Sequence, residues 1–218
     1  MLMNKKVVDR LEKYFSSYKL ISYRKGDTII YSTDEPNGVY YLKKGYVKMN
    51  IVSIDGNELI LNIHKPGSFF STFWAIGEKP NSYSFIAMDK VTIYKSPKED
   101  FLVFLKENPE VLFDLTKRVL SGVDELVINI THLLAGSSEN RVASALSIVT
   151  KRFGEKMKDG KILIKLNLTH QDIADMAGIT RETASLAIGK LTKNKILKQQ
   201  GRKFVIFDIN KLDNITSY

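Results

Sequence analysis

The stretch THQDIADMAGITRETASLAIGKL, Thr169 to Leu191, holds two short helical patterns with one glycine between them. Thr169 is a good N-cap, and Asp172 three residues later adds a weak capping box. The first helix is predicted to run to about Ala177. Gly178 supplies the turn, where a left-handed backbone costs a glycine little, and Thr180 caps the second helix. Small or aliphatic residues stand at fixed offsets from that glycine: Ile173, Ala174, Ala177, Ile179, Ala184 and Ala187. Alanines at 174, 184 and 187 let two helices approach closely. The pattern is that of a helix-turn-helix, with an ordinary helical hairpin as the plainer alternative.

In such a motif the second helix enters the major groove of DNA N-terminus first. Arg181 there can donate twice to guanine, and Glu182 can accept from cytosine. Ser185 and Leu186 follow as further base-contact candidates. The plainer roles are phosphate contact for Arg181 and a favourable dipole interaction for Glu182. Thr169, Thr180, Thr183, Lys190 and Lys193 are candidates for phosphate contact. The run ILKQQGRKFVIF then reads as a hairpin, with Arg202 and Lys203 making its tip a basic wing.

Charge supports this placement. Residues 137–218 carry 15 Lys/Arg against 8 Asp/Glu, whereas residues 1–136 carry 18 against 16. A polyanion is therefore expected to meet the C-terminal third. The chain has no cysteine, which excludes disulfides and thiolate-held metals or clusters. His64, His132 and His170 are isolated in sequence, so no metal or cofactor site is expected. MLMNKKVVDRLEKYF lacks the apolar core of a secretory signal, and no apolar run is long enough to span a membrane. A cytoplasmic protein is the expectation. No nucleophile elbow, P-loop or metal signature points to an enzyme.

Upstream, residues from about 20 to 96 read as many short strands broken by turns such as Lys44-Gly45 and Asp55-Gly56, implying a jelly roll or barrel. Leu112, Leu115, Val119, Val123, Leu126, Ile130 and Leu133 then step by three or four residues. They predict one long helix from about Pro109 to Ala135 with an apolar seam suited to a dimer. Gly136-Ser137-Ser138 breaks that helix. The expected organisation is α+β: a sensing β-barrel at 1–108, a dimerisation helix at 109–136 and a winged helix-turn-helix at 137–218. A helix at 139–153, a polar loop at 154–161 and a short strand at 162–166 should open the last segment.

Barrel, long helix, hinge and winged helix-turn-helix, in that order, resemble the Crp/Fnr family of bacterial transcription regulators. The resemblance rests on LTHQDIADMAGITRETAS, on the RVASAL helix from Arg141, and on KKGYVKMNIVSIDGNELILNIHKPGSFF. It implies a homodimer on a palindromic DNA site, with half-sites about one helical turn apart, and a signal passed from barrel to DNA-binding domain. It also implies that the 154–161 loop can touch RNA polymerase.

Two departures from the family pattern stand out. In GSFFSTFWAIGEKPNSYSF, Thr72 stands where cyclic-nucleotide members carry a ribose-binding glutamate, and Ser82 where they carry a phosphate-binding arginine. Leu126 and Val127, near the place of the base, are apolar. A buried phosphate without a cation is costly, so cyclic AMP is not the expected ligand. Phe69, Phe70, Phe73, Trp74 and Tyr83, with Val123 on the long helix, could instead form a pocket for a hydrophobic or aromatic effector. Equally, these rings could simply fill the barrel, leaving a regulator that needs no ligand. The second departure is Leu186, which stands where the family usually has a guanine-reading arginine and predicts one fewer required G·C pair. An effector-binding module with a vestigial helix-turn-helix is the competing reading of the whole chain.

Overall fold

A computed structural model describes residues 5–53 and 56–216, apart from the side chains at 125, 128, 129, 132–135 and 216. Asp55 and the side chains of His132 and Leu133 lie outside the described residues. The chain divides into two compact units, one formed by Met1–Ile51 and Ile60–Val123, the other by Val52–Leu59 and Asp124–Tyr218.

The first unit contains α1 (Lys5–Phe15), β1 (Leu20–Tyr23), β2 (Thr28–Ile30), β3 (Val39–Lys44), β4 (Val47–Val52), β5 (Glu58–His64), β6 (Phe69–Phe70), α2 (Thr72–Ala75), β7 (Ser84–Ala87), β8 (Val91–Ser96), α3 (Lys98–Glu107) and the start of α4 (Pro109–Ala135). Its strands form two four-stranded sheets, ordered β1-β8-β3-β6 and β2-β7-β4-β5. This is the jelly-roll barrel that the turn spacing implies.

Strand β3 shows why the sheets close on each other. Its residues Val39, Tyr40, Tyr41 and Leu42 are all buried, so the run lacks the polar alternation of a half-exposed strand. Tyr40 and Leu42 face the barrel interior with Phe70, Phe85 and Ile93. Val39 and Tyr41 face outward, beneath a layer holding Phe15 of α1, Phe101 and Phe104 of α3, and Val111 and Leu115 of α4. Rings stack on both sides: Tyr40 on Phe70 at 5.3 Å, and Phe15 on Tyr41 at 5.0 Å.

Helix α1 is absent from the sequence reading, although Val7, Leu11 and Phe15 recur every four residues and are its buried positions. Helix α4 has the expected bounds. At a rise of about 1.5 Å per residue its 27 residues extend about 40 Å. Leu115 belongs to the core of its own unit, so it departs from the expected dimer seam. Leu112, Val119, Val123, Leu126 and Ile130 remain exposed. A strict three-and-four spacing does not say which seam residue turns toward the barrel.

The second unit contains α5 (Ser138–Phe153), β9 (Gly154–Lys156), β10 (Ile162–Ile164), α6 (His170–Ala177), α7 (Arg181–Lys193), β11 (Leu197–Gln200), β12 (Lys203–Ile206) and α8 (Ile209–Thr216). Its sheet is ordered β11-β12-β10-β9. The polar stretch expected as a loop at 154–161 begins as strand β9. A Cβ on Gly154 would fall 2.3 Å from the Thr150 carbonyl oxygen, so this helix-to-strand junction requires glycine. The closing helix α8, also unanticipated, packs on α5 through buried Leu212, an Asn140 amide donating to the Ile215 carbonyl at 2.8 Å, and a Lys151–Asp213 ion pair at 3.0 Å.

Candidate nucleic-acid interface

Local hydrogen bonds mark the start of each helix of the helix-turn-helix. Thr169 is the N-cap of α6, and both halves of a capping box with Asp172 are made. The Thr169 hydroxyl accepts from the Asp172 N–H at 3.0 Å, while the Asp172 carboxylate accepts from the Thr169 N–H at 2.9 Å. Gly178 ends the helix in the left-handed region, at φ 60 and ψ 43, its N–H bonded to the Ala174 carbonyl. Thr180 then caps α7, accepting from the Thr183 N–H at 3.3 Å. The small residues meet where α6 and α7 cross: Ala174, Ala177, Ala184 and Ala187 are at most 3% exposed.

With that face of α7 buried, the opposite face is presented outward. Arg181, Glu182, Leu186, Gly189, Lys190 and Lys193 are exposed. Leu186 is 72% exposed on that face. Lys190 lies 3.8 Å from Glu139 of α5. The β11–β12 turn carries Gly201 at φ 61 and an exposed Arg202. The Lys203 amine donates to the Lys165 carbonyl.

Thr169, Thr180 and Thr183 spend their hydroxyls within the caps. Ser185 is half-buried and spends its hydroxyl on the Arg181 carbonyl at 2.9 Å. It also meets His170 Nδ1 at 2.7 Å, and His170 Nε2 meets Gln199 Oε1 at 2.8 Å. In the sequence His170 stands isolated. Its partners lie 15 and 29 positions away, so no local signal could have paired them.

The aromatic segment of the barrel is laid out differently from a single pocket. Strand alternation sends Phe69 and Phe70 to opposite faces, one beneath the helices and one into the barrel interior. Phe73 is 56% exposed, with its ring 6.0 Å from that of Tyr83. Trp74 donates to Glu35 at 3.0 Å and lies under the Lys98 amine at 5.1 Å. Thr72 is half-buried and Ser82 exposed. A cleft of about 530 Å³ opens beside Trp74, bordered by Asp34, Glu35, Glu78, Lys79 and Lys98. Its three carboxylates outnumber its two amines, which disfavours an anion there. No described helix is long and apolar enough to cross a membrane.

Comparison with known proteins agrees with both halves. The pattern of a cyclic nucleotide-binding domain matches residues 20–108, and that of a Crp-like helix-turn-helix domain matches residues 140–215. A global nitrogen regulator of Nostoc sp. is 31% identical over 187 residues, covering 85% of this chain and 83% of its own. The transcriptional regulator SdrP of Thermus thermophilus is 26% identical over 197 residues, covering 89% and 93%. Among solved structures, a transcriptional regulator of the CRP/FNR family from Thermus thermophilus superposes with a TM-score of 0.71 at 26% identity, covering 91% of this chain and 98% of that one.

Proposed function

This chain belongs to the Crp/Fnr family of transcription regulators and is a DNA-binding regulator; on that premise we propose how it reads DNA, how it assembles and what its barrel takes. Helix α7 reads the major groove through Arg181, Glu182 and Leu186, with Lys190, Lys193 and Arg202 on the phosphates. The observation that carries this is the sidedness of α7. Its alanines are buried, and its long polar side chains, with Leu186, are exposed. Arg181 suits guanine, and Leu186 suits the methyl group of thymine. Lys203 has one of its three donors on the Lys165 carbonyl and two left for a phosphate.

The protein works as a homodimer joined along α4. Leu112, Val119, Val123, Leu126 and Ile130 are each at least 40% exposed on this one helix, spaced as one seam of a two-stranded coil. A dimer places two α7 helices on a palindrome. The barrel does not take cyclic AMP, since Thr72 supplies no carboxylate for the ribose and Ser82 no cation for the phosphate. The dispersal of Phe69, Phe70 and Phe73 over three environments favours a regulator that needs no small effector.

The test is selection of DNA sites by the purified, ligand-free protein at two salt concentrations. One tightly bound palindrome, with A·T pairs facing residue 186, is the expected result. Arg181→Ala should then weaken specific binding by about 1–3 kcal/mol and relax one G·C position. Leu186→Arg should create a guanine preference where none existed. Weak binding without sequence preference would overturn the ligand-free reading.

A further inference from the structure

Glycine is a poor residue for a helix interior, because it loses more backbone freedom on folding than any other residue and brings no side chain to pack. Two glycines of the DNA-binding unit have a reason in the fold. Gly178 ends α6 in the left-handed region, and a Cβ at Gly154 would fall 2.3 Å from the Thr150 carbonyl oxygen. Gly189 has neither reason. It is the ninth of the thirteen residues of α7, and its backbone is ordinary right-handed helix. Among the described residues, a Cβ there would meet no heavy atom within 4 Å outside its own stretch of helix. Alanine would therefore fit the free protein and hold α7 better than glycine does.

The place of Gly189 on α7 supplies a reason outside the free protein. Glu182, Leu186, Gly189 and Lys193 step by 4, 3 and 4 residues, so they share one face of the helix, and all four are exposed. Gly189 stands eight residues beyond Arg181, about 12 Å along the axis at about 1.5 Å per residue. The major groove is about 12 Å wide and about 8.5 Å deep. A helix whose N-terminus reaches the bases therefore meets the sugar–phosphate wall of the groove about where Gly189 stands. We propose that Gly189 is a positioning residue of the DNA complex: its missing side chain lets one sugar–phosphate strand close against the backbone of α7, within reach of Lys190 and Lys193. This rests on α7 being the helix that reads the groove. A side chain at 189 holds the strand away from both amines. The glycine thus weakens the free helix and tightens the complex.

The experiment compares full-length wild type, Gly189→Ala, Gly189→Leu and Arg181→Ala. Scanning calorimetry gives the melting midpoint, and dissociation constants are measured for the selected site and its single-base variants at constant ionic strength. Gly189→Ala should raise the midpoint of the DNA-binding unit by about 2–8 °C. The same change should weaken binding to the selected site about five- to tenfold, and Gly189→Leu up to about a hundredfold. The loss should be alike for the site and its variants, because a phosphate contact carries no sequence information. Three results overturn the proposal while Arg181→Ala still weakens binding. One is wild-type affinity in either glycine variant. Another is a midpoint that does not rise in Gly189→Ala, which would give the glycine a part in the fold. The third is a loss confined to one base pair, which would put a base at 189 in place of the strand. If Arg181→Ala binds as wild type does, the groove-reading premise falls, and the proposal with it.

Discussion

The barrel and the DNA-binding unit are packed by opposite means. The barrel interlocks large rings from distant parts of the chain: Phe15, Tyr41, Phe69 and Phe101 share one cluster. The helix-turn-helix instead brings backbones together over Ala174, Ala177, Ala184 and Ala187, all within one short stretch. Rings offer much area and several ways to fill a volume. Alanines leave a crossing with little room to change, because a larger side chain pushes two backbones apart. The difference fits the division of labour. The DNA-binding unit holds the position of α7 through caps, a left-handed glycine and close contact, and leaves Leu186 exposed.

The sharpest break in this comparison comes from cutting one ring out of the barrel. Phe101 is fully buried, with Phe15 at 5.9 Å and Phe69 at 5.6 Å between ring centroids. Phe101→Ala should destabilise the barrel by about 3–5 kcal/mol. Trp74 is the sole tryptophan and lies in the barrel unit, so its fluorescence in a denaturant titration follows that unit. A loss below about 1 kcal/mol, the ordinary size for a point change, would show that the ring cluster repacks freely.

The counterpart is Ala184→Leu, which adds volume at a fully buried crossing. About 1–3 kcal/mol should be lost from the DNA-binding unit. Specific DNA binding should fall while the Trp74 transition stays where it was. Retained binding would mean that the crossing yields more easily than its alanines suggest.

This contrast also explains what could be read from the chain. Thr169, Asp172, Gly178 and Thr180 act on backbone groups within four residues, so the helix-turn-helix and its caps were legible residue by residue. Helix α4 was legible because a long periodic seam and Pro109 mark it. Helix α1 carried an equally readable spacing at Val7, Leu11 and Phe15, masked by the charges between them. Helix α8 opens at Asp208, whose carboxylate accepts from the Lys211 N–H at 3.1 Å, a cap signal passed over behind a strand-like run. The role of Leu115 and the separate fates of Phe69 and Phe70 depend on what covers each face. That is set by α1 and α3, far away in sequence. The bridge from His170 to Ser185 and Gln199 is tertiary in the same sense.

The mildest test uses alkaline pH, because tyrosines divide unequally between the units. Nine of the ten lie between positions 14 and 94, and the tenth is Tyr218. Burial pushes Tyr40 up to about 12, and burial followed by the nearby Glu12 charge does the same for Tyr41. An unfolded tyrosine ionises near pH 10. Each raised group therefore contributes stability that is complete below about pH 10 and is lost as pH rises through about 12. Between those limits the unfolded chain releases the proton first, at a cost to folding on the order of 1 kcal/mol per tyrosine near pH 11. The barrel should lose stability across this window, as followed by Trp74 fluorescence. A Tyr40→Phe, Tyr41→Phe double variant should remove part of that dependence, because Tyr14 and Tyr23, also raised by burial, keep the rest. Lysines titrate in the same range in both units, so the difference between wild type and the double variant isolates the phenols. An unchanged alkaline profile in the double variant would leave Tyr40 and Tyr41 without a part in the loss.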